Sequence, residues 1–240
     1  MMENFFIPYQ ADERVPGERV GILAPHPDDE VFGPGGTLAK WHHKVVSVAV
    51  VTDGLGWGNR DDLLITRECE SKQACSLMKW PEPEFWQFPD GHLAEHESSL
   101  VDRIFKWIEL NQIDSLFVPS VWEMHRDHRV CAESALDAAD KAKNLKDVWL
   151  YEIGRPLQRV NCLVDITKVF ELKKKAMYQY TSQLEMQNYF DQITALNIYR
   201  TYTLSKECAA AEAFYVLSQS QIASFISEEN PQKLTRELFS

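Results

Sequence analysis

Four short, unbroken apolar runs recur along the chain: "RVGILAP" (19–25), "VVSVAVVTDG" (45–54), "SLFVPS" (115–120) and "VWLYEI" (148–153). A strand with one face in water alternates apolar and polar residues, so unbroken runs of this length belong to strands buried on both faces. Amphipathic stretches at about 35–44, 62–79, 98–111 and 128–142 separate them, as crossover helices would. The pattern predicts a Rossmann-like α/β fold: a mostly parallel sheet with helices on both faces. "FWQFP" (85–89) fits one further strand, and "KWPEPEF" (79–85) is a loop, because each Pro restricts itself and its predecessor.

Past "VNCLVDIT" (160–167) the character changes to a basic helix, "KVFELKKKAMYQYTSQ", and then to mixed aromatic and polar sequence. A single domain over 1–240 is expected, with an α/β body over about 1–155 and a C-terminal cap and tail over about 156–240. With 240 residues, 45% of them hydrophobic, the chain can bury a sizeable core.

The formal net charge of −11 disfavours a surface that grips nucleic acid or anionic lipid. The longest clean apolar run, 45–51, falls far short of the ~20 residues of a membrane helix. The opening "MMENFFIPYQADE" lacks the basic and apolar regions of a secretory signal, so a cytoplasmic protein is expected. Five widely spaced cysteines with no C-x-x-C pair indicate neither a disulfide framework nor a thiolate zinc site.

Ligands of open parallel sheets bind beyond the carboxyl ends of the strands. Three loops there carry chemistry: "HPDDE" (26–30), "TDG" (52–54) and "WEMHRDHR" (122–129). His26 and Asp29, three apart across the Pro27 turn, can face one point, and His128 arrives from the third loop. Two imidazoles and a carboxylate form a catalytic zinc set, which leaves the fourth position for water. Asp28, beside these ligands, is placed to act as general base as the zinc-bound water attacks an amide or ester carbonyl. His125 is a candidate for stabilising the oxyanion or protonating the leaving amine, and Asp127 for orienting one of the imidazoles.

Plainer readings exist for each motif. Asp28 or Asp29 would serve as a helix N-cap, and "HRDHR" as a solvated helix start. Both motifs at adjacent strand ends favour the metal site. Gly33, Gly35 and Gly36 match no phosphate-binding loop and are read as a tight backbone passage. His42 and His43 are read as helix-end residues, and His92 and His96 as polar loop. The Lys173, Lys174 and Lys175 run suits a solvated helix face or a phosphate.

The motifs "APHPDDE" (24–30), "GGTLA" (35–39), "TDG", "TRECE" (66–70), "FPDG" (88–91), "HRDHR" (125–129), "VDIT" (164–167) with "KKKAMYQYTSQ" (173–183), and "AEAF" (211–214) resemble the PIG-L/LmbE-like zinc-dependent N-deacetylases. The resemblance runs from about 18 to 217 and is specific in the first and "HRDHR" motifs. It implies a Rossmann-like fold and removal of acetyl from an N-acetylglucosamine conjugate. It likewise implies zinc at His26, Asp29 and His128, Asp28 as base and His125 as assisting residue. Arg67 and Asp90 would reach sugar hydroxyls, and Asp53 and Trp57 complete the candidate substrate-binding set, Trp57 by stacking on a sugar face or by packing its loop. Some relatives of this kind carry a Tyr two residues before the first His of the second motif, where this chain has Glu123.

Zinc is the expected cofactor, with Fe2+ or another divalent transition metal as alternatives, and a homo-oligomer is compatible with the layout. The expected partner is a small sugar conjugate, recognised through cap tyrosines such as Tyr178, Tyr180, Tyr189, Tyr199 and Tyr202. Competing readings are an amidase for a different acyl group, a magnesium-dependent phosphoryl enzyme, and a non-catalytic binding module. The two imidazoles argue against magnesium, which prefers oxygen ligands.

Overall fold

The computed structural model describes residues 7–56 and 61–229. Strands β1 (Val20–Ala24), β2 (Val45–Thr52), β4 (Ser115–Pro119) and β5 (Asp147–Tyr151) occupy the four apolar runs, and β3 (Glu84–Phe88) the "FWQFP" stretch. β6 (Cys162–Asp165) and β7 (Ala211–Ser218) complete a seven-stranded sheet of order β3-β2-β1-β4-β5-β7-β6. β1 to β5 pair in parallel, and β7 runs antiparallel between β5 and β6. The fold is therefore the expected mostly parallel α/β sheet, with one reversed strand, β7, set between β5 and the edge strand β6.

Side chains alternate across the strands, and both faces are covered. On one face Leu23, Ala49, Val51, Leu116 and Val118 pack against helices α4 (Glu97–Asn111), α5 (Arg126–Lys141) and α9 (Gln219–Glu229). On the other, Ile22, Val48, Phe117 and Phe214 pack against α1 (Asp29–Phe32), α2 (Gly35–Lys40), α3 (Asp61–Met78), α6 (Phe170–Met177) and α8 (Tyr189–Tyr199). Two apolar layers explain why the strand sequences do not alternate. The expected helix at 35–44 ends at Lys40, and His42–Lys44 form a separate 3-10 turn away from the site.

The segment past about 155 is more than a cap, because β6 and β7 extend the sheet while α6, short helix α7 (Thr181–Leu184) and α8 lie across one face. Glu212 of β7 is buried, and its carboxylate accepts the Gly36 and Thr37 amides at 2.7 and 2.6 Å, satisfying the start of α2. Lys173 of α6 is fully buried rather than solvated, and its Nζ donates to Glu212 and to the Phe32 and Gly33 carbonyls. Gly36 allows this approach, since a Cβ there would meet Glu212 Oε1 at 2.9 Å and Ile166 at 2.7 Å.

Candidate active site

Chain order reverses direction across the sheet between β1 and β4, and the crevice at that switch point opens at the carboxyl ends of both strands. "HPDDE" leaves β1 into that crevice, and the loop from β4 into α5 delivers His125 and His128. A pocket of about 350 Å³ lies between them, lined among others by His26, Asp28, Asp29, His125 and His128.

Asp29 Oδ2, His26 Nδ1 and His128 Nε2 form a triangle with edges of 3.3, 3.1 and 3.1 Å. Three ligand atoms around one tetrahedral zinc at 2.0–2.1 Å would stand about 3.3 Å apart. The spacing and the chemistry of this nitrogen, nitrogen, oxygen set thus fit a catalytic zinc or a similar divalent ion. Two wider donor sets share His26: His26 with His125 and His128, and His26 with Asp90 and Asp127, each within 4.8 Å. The second set lies on the Nε2 side of His26, behind the triangle. Asp90 Oδ1 stands 3.0 Å from His26 Nε2, so a proton on Nε2 leaves the Nδ1 lone pair facing the triangle.

The helix-cap reading of "PDDE" does not hold, since neither α1 nor α2 has a side-chain cap bond from its N-cap residue. Asp29 Oδ2 instead accepts the His26 amide at 2.9 Å. Asp28 adopts φ 147° and ψ −32°, a strained conformation for a non-glycine residue and one that clusters at functional sites. Its amide donates to Glu30 Oε2 at 2.9 Å, and Glu30 Oε1 accepts the Tyr180 hydroxyl at 2.8 Å and that of Ser71. Tyr180 is therefore not a pocket aromatic but a buried prop beneath the loop.

Arg67 is buried as well. It donates to Gly54 O at 2.6 Å, Pro27 O at 3.0 Å and Asp28 Oδ2 at 3.3 Å, which ties the first two loops together and neutralises Asp28 in part. Asp90, expected at sugar hydroxyls, spends Oδ1 on His26 and Oδ2 on the Gly56 amide. Asp53 accepts the Leu55 and Asp90 amides and so organises the same loops. Asp127, expected to orient an imidazole, lies 3.9 Å from His26 Nε2 and accepts the Gly91 and Leu93 amides. Asp90 is the closer imidazole partner. Trp57 lies outside the described residues.

The electrostatics are those of crowded, buried charge. Burial alone would lower the His26 imidazole, but hydrogen bonds that it donates to Asp29 and Asp90 outweigh it and raise it to about 10. Burial works to raise Asp29, while His128 and His26 hold it below the ordinary carboxylate range. Burial, then the Asp29 charge, push Asp28 well up, with Arg67 opposing. A proton acceptor of raised affinity beside a candidate metal-ligand set is suited to general base catalysis. His125 is lowered by burial and then by His26 and His128, and its Nδ1 accepts the Asp127 amide at 3.2 Å. The neutral ring then carries its proton on Nε2, as a hydrogen-bond donor.

Phe32, Met124, Ile153 and Tyr189 form an apolar side of the pocket. Only Tyr189 of these was legible as a site residue, because an apolar side chain carries no chemistry that marks it, even for Met124 within "WEMHRDHR".

Fold, switch-point pocket and acid–histidine constellation together define a Rossmann-like α/β protein with a pocket whose donor set could hold a divalent ion. The family profile described as "PIG-L: GlcNAc-PI de-N-acetylase" matches residues 22–139, the segment that holds both motifs, and over that segment the chain is similar to the PIG-L family. A Bacillus subtilis (strain 168) protein named "Probable N-acetyl-alpha-D-glucosaminyl L-malate deacetylase 2" is 24% identical over 188 residues, covering 70% of this chain and 84% of that protein. N,N'-diacetylchitobiose deacetylase from Pyrococcus horikoshii shares the fold with TM-score 0.72 and 22% identity, covering 85% of each chain. GalB, the 4-carboxy-2-hydroxymuconate hydratase of Pseudomonas putida KT2440, shares it with TM-score 0.68 and 17% identity, covering 84% of this chain and 96% of its own. Among the described residues no helix is long and apolar enough to cross a membrane.

Proposed function

We propose that the protein is a metal-dependent N-deacetylase of N-acetylglucosamine-type conjugates. The observation that carries the reading is the triangle of Asp29 Oδ2, His26 Nδ1 and His128 Nε2 with strained, buried Asp28 next to it. A divalent ion held by those three atoms would supply a Lewis acid that acidifies water and polarises an amide carbonyl.

The remaining steps belong to the chain. Asp28 takes the proton of the attacking water, its basicity raised by burial and its carboxylate steadied by Arg67. His125 donates a hydrogen bond from Nε2 to the developing oxyanion, and the proton that Asp28 took from the water goes on to the leaving amine. Asp90 keeps the proton of His26 on Nε2. The apolar side formed by Phe32, Ile153 and Tyr189 limits water and gives a sugar ring or its aglycone a surface to pack on. The acetyl substrate class is supported by the family profile and by the deacetylase names of the relatives.

A hydratase on the same fold shows that fold alone does not set the reaction, so the test must read the product directly. Zinc-loaded protein incubated with N-acetylglucosaminyl conjugates of differing aglycone should release acetate and free amine in equal amounts. Absence of acetate from every N-acetyl sugar, with metal bound, would overturn the assignment in favour of a different acyl amide or a binding role.

A further inference from the structure

Both imidazoles of the triangle have a carboxylate behind them, but only one is accounted for above. His128 Nδ1, on the side away from the triangle, is buried and has no hydrogen-bond partner among the described residues. The nearest carboxylate oxygen is Glu123 Oε2 at 3.8 Å, about 0.8 Å beyond the usual N–H···O length of about 3.0 Å. Glu123 is itself 2% exposed and lines the pocket.

The rest of Glu123 is fixed from two directions. Its Oε1 accepts the Ile153 amide at 2.7 Å and the Arg155 amide at 3.5 Å, and its Oε2 accepts the Gly154 amide at 3.1 Å. Three successive amides of the loop after β5 thus converge on one carboxylate. Gly154 leaves room for it, since a Cβ there would lie 3.2 Å from Oε2. The backbone of Glu123 is held by Arg129, whose Nη1 donates to the Glu123 carbonyl at 2.8 Å and to the Met124 carbonyl at 2.5 Å.

We propose that Glu123 is a positioning residue that fixes the tautomer and tilt of His128, through Nδ1–H, while anchoring the 153–155 loop that walls the pocket. The proposal rests on the reading of His26, Asp29 and His128 as metal ligands. A proton drawn to Nδ1 by Glu123 leaves the Nε2 lone pair facing Asp29 and His26, as Asp90 does for His26 through the opposite nitrogen. The two ligand imidazoles are then set by mirror-image arrangements, one from the loop after β3 and one from the loop after β4. A small tilt of His128 on binding an ion closes the remaining gap.

The test uses the metal alone, so it needs no substrate. Metal-stripped wild type, Glu123→Ala and Glu123→Gln are titrated with zinc against a competing chelator, and cobalt is substituted to record its visible spectrum. Melting of each metal-free protein is measured beside them. Loss of a carboxylate behind a ligand imidazole should weaken zinc binding about 10–100-fold, and it should alter the cobalt spectrum, which reports ligand geometry. In Glu123→Gln one end of the side chain becomes a donor, so either the His128 contact or the loop amides lose their acceptor, and weaker binding is expected there too.

Zinc affinity and cobalt spectrum equal to wild type in both variants would overturn the proposal, and a lower metal-free melting temperature with unchanged affinity would make Glu123 a loop anchor only. Should Glu123→Ala fail to fold, the near-isosteric Gln variant decides. A wild-type protein that binds neither metal would instead overturn the ligand assignment, and the proposal with it.

Discussion

Lys173→Met probes the joint that sets the "HPDDE" turn against the C-terminal strands. Lys173 Nζ lies 2.6 Å from Glu212 Oε1 and 3.0 Å from both the Phe32 and Gly33 carbonyls, all inside the protein. Met replaces the aliphatic stem at similar volume, so the packing loss is small and the electrostatic loss dominates. Glu212, 2% exposed, keeps only the Gly36 and Thr37 amides and becomes a buried charge without a counter-ion. Breaking a buried pair from one side costs about 3–5 kcal/mol. In a chain of this size that is about 6–20 °C of melting temperature. Urea unfolding of Lys173→Met, Glu212→Gln and the double variant measures it. The double variant should be destabilised by less than the sum of the singles, with a coupling of about 1 kcal/mol or more. A Lys173→Met protein within about 1 kcal/mol of wild type, or strictly additive singles, would refute the reasoning.

Asp28→Asn keeps the shape of the base but not its proton affinity, so the variant should retain metal while deacetylation falls about 10²–10⁴-fold. A near-normal rate would remove Asp28 as the base. Glu133 on α5 is raised from 4.5 to about 7, first by burial and then by Glu97. The folded state binds that proton more tightly than the unfolded one, so the associated stability is complete below pH 4.5 and is lost as pH rises through about 7. Glu133→Gln should match wild type at pH 4.5 and exceed it by about 1–3 kcal/mol at pH 8, after allowance for partial exposure. Equal unfolding free energies at pH 8 would contradict this.

Four of the five parallel strands were legible as unbroken apolar runs bounded by polar loops and β3 as the aromatic "FWQFP", and the triangle because its residues sit where two such runs end. β7 was not. Its "AEAFYVLS" carries Glu212, which reads as a polar interruption until its partners are known: two amides of α2 and the ammonium of Lys173. Lys173 was hidden by the same logic, since three consecutive lysines look like a solvated helix face. Asp90 was recognised as a site residue with a different duty, because its contact with His26, 64 positions away, depends on how the loop after β3 folds back. Tyr180 is a similar case: it props up Glu30 and, through it, the strained Asp28, a relation that no local pattern carries. What the sequence conveyed well was chemistry carried by motifs at the strand ends, and what it missed was how residues of other segments support them.

The central claim is that His26, Asp29 and His128 hold one divalent ion, and metal content tests it most directly. Wild type and His128→Ala, purified without added metal and again after zinc loading and removal of the excess, are analysed by elemental mass spectrometry with protein quantified in parallel. About one zinc or other transition-metal ion per wild-type chain is expected, and little or none in the variant. No metal in wild type even after loading, or full occupancy in His128→Ala, would contradict it.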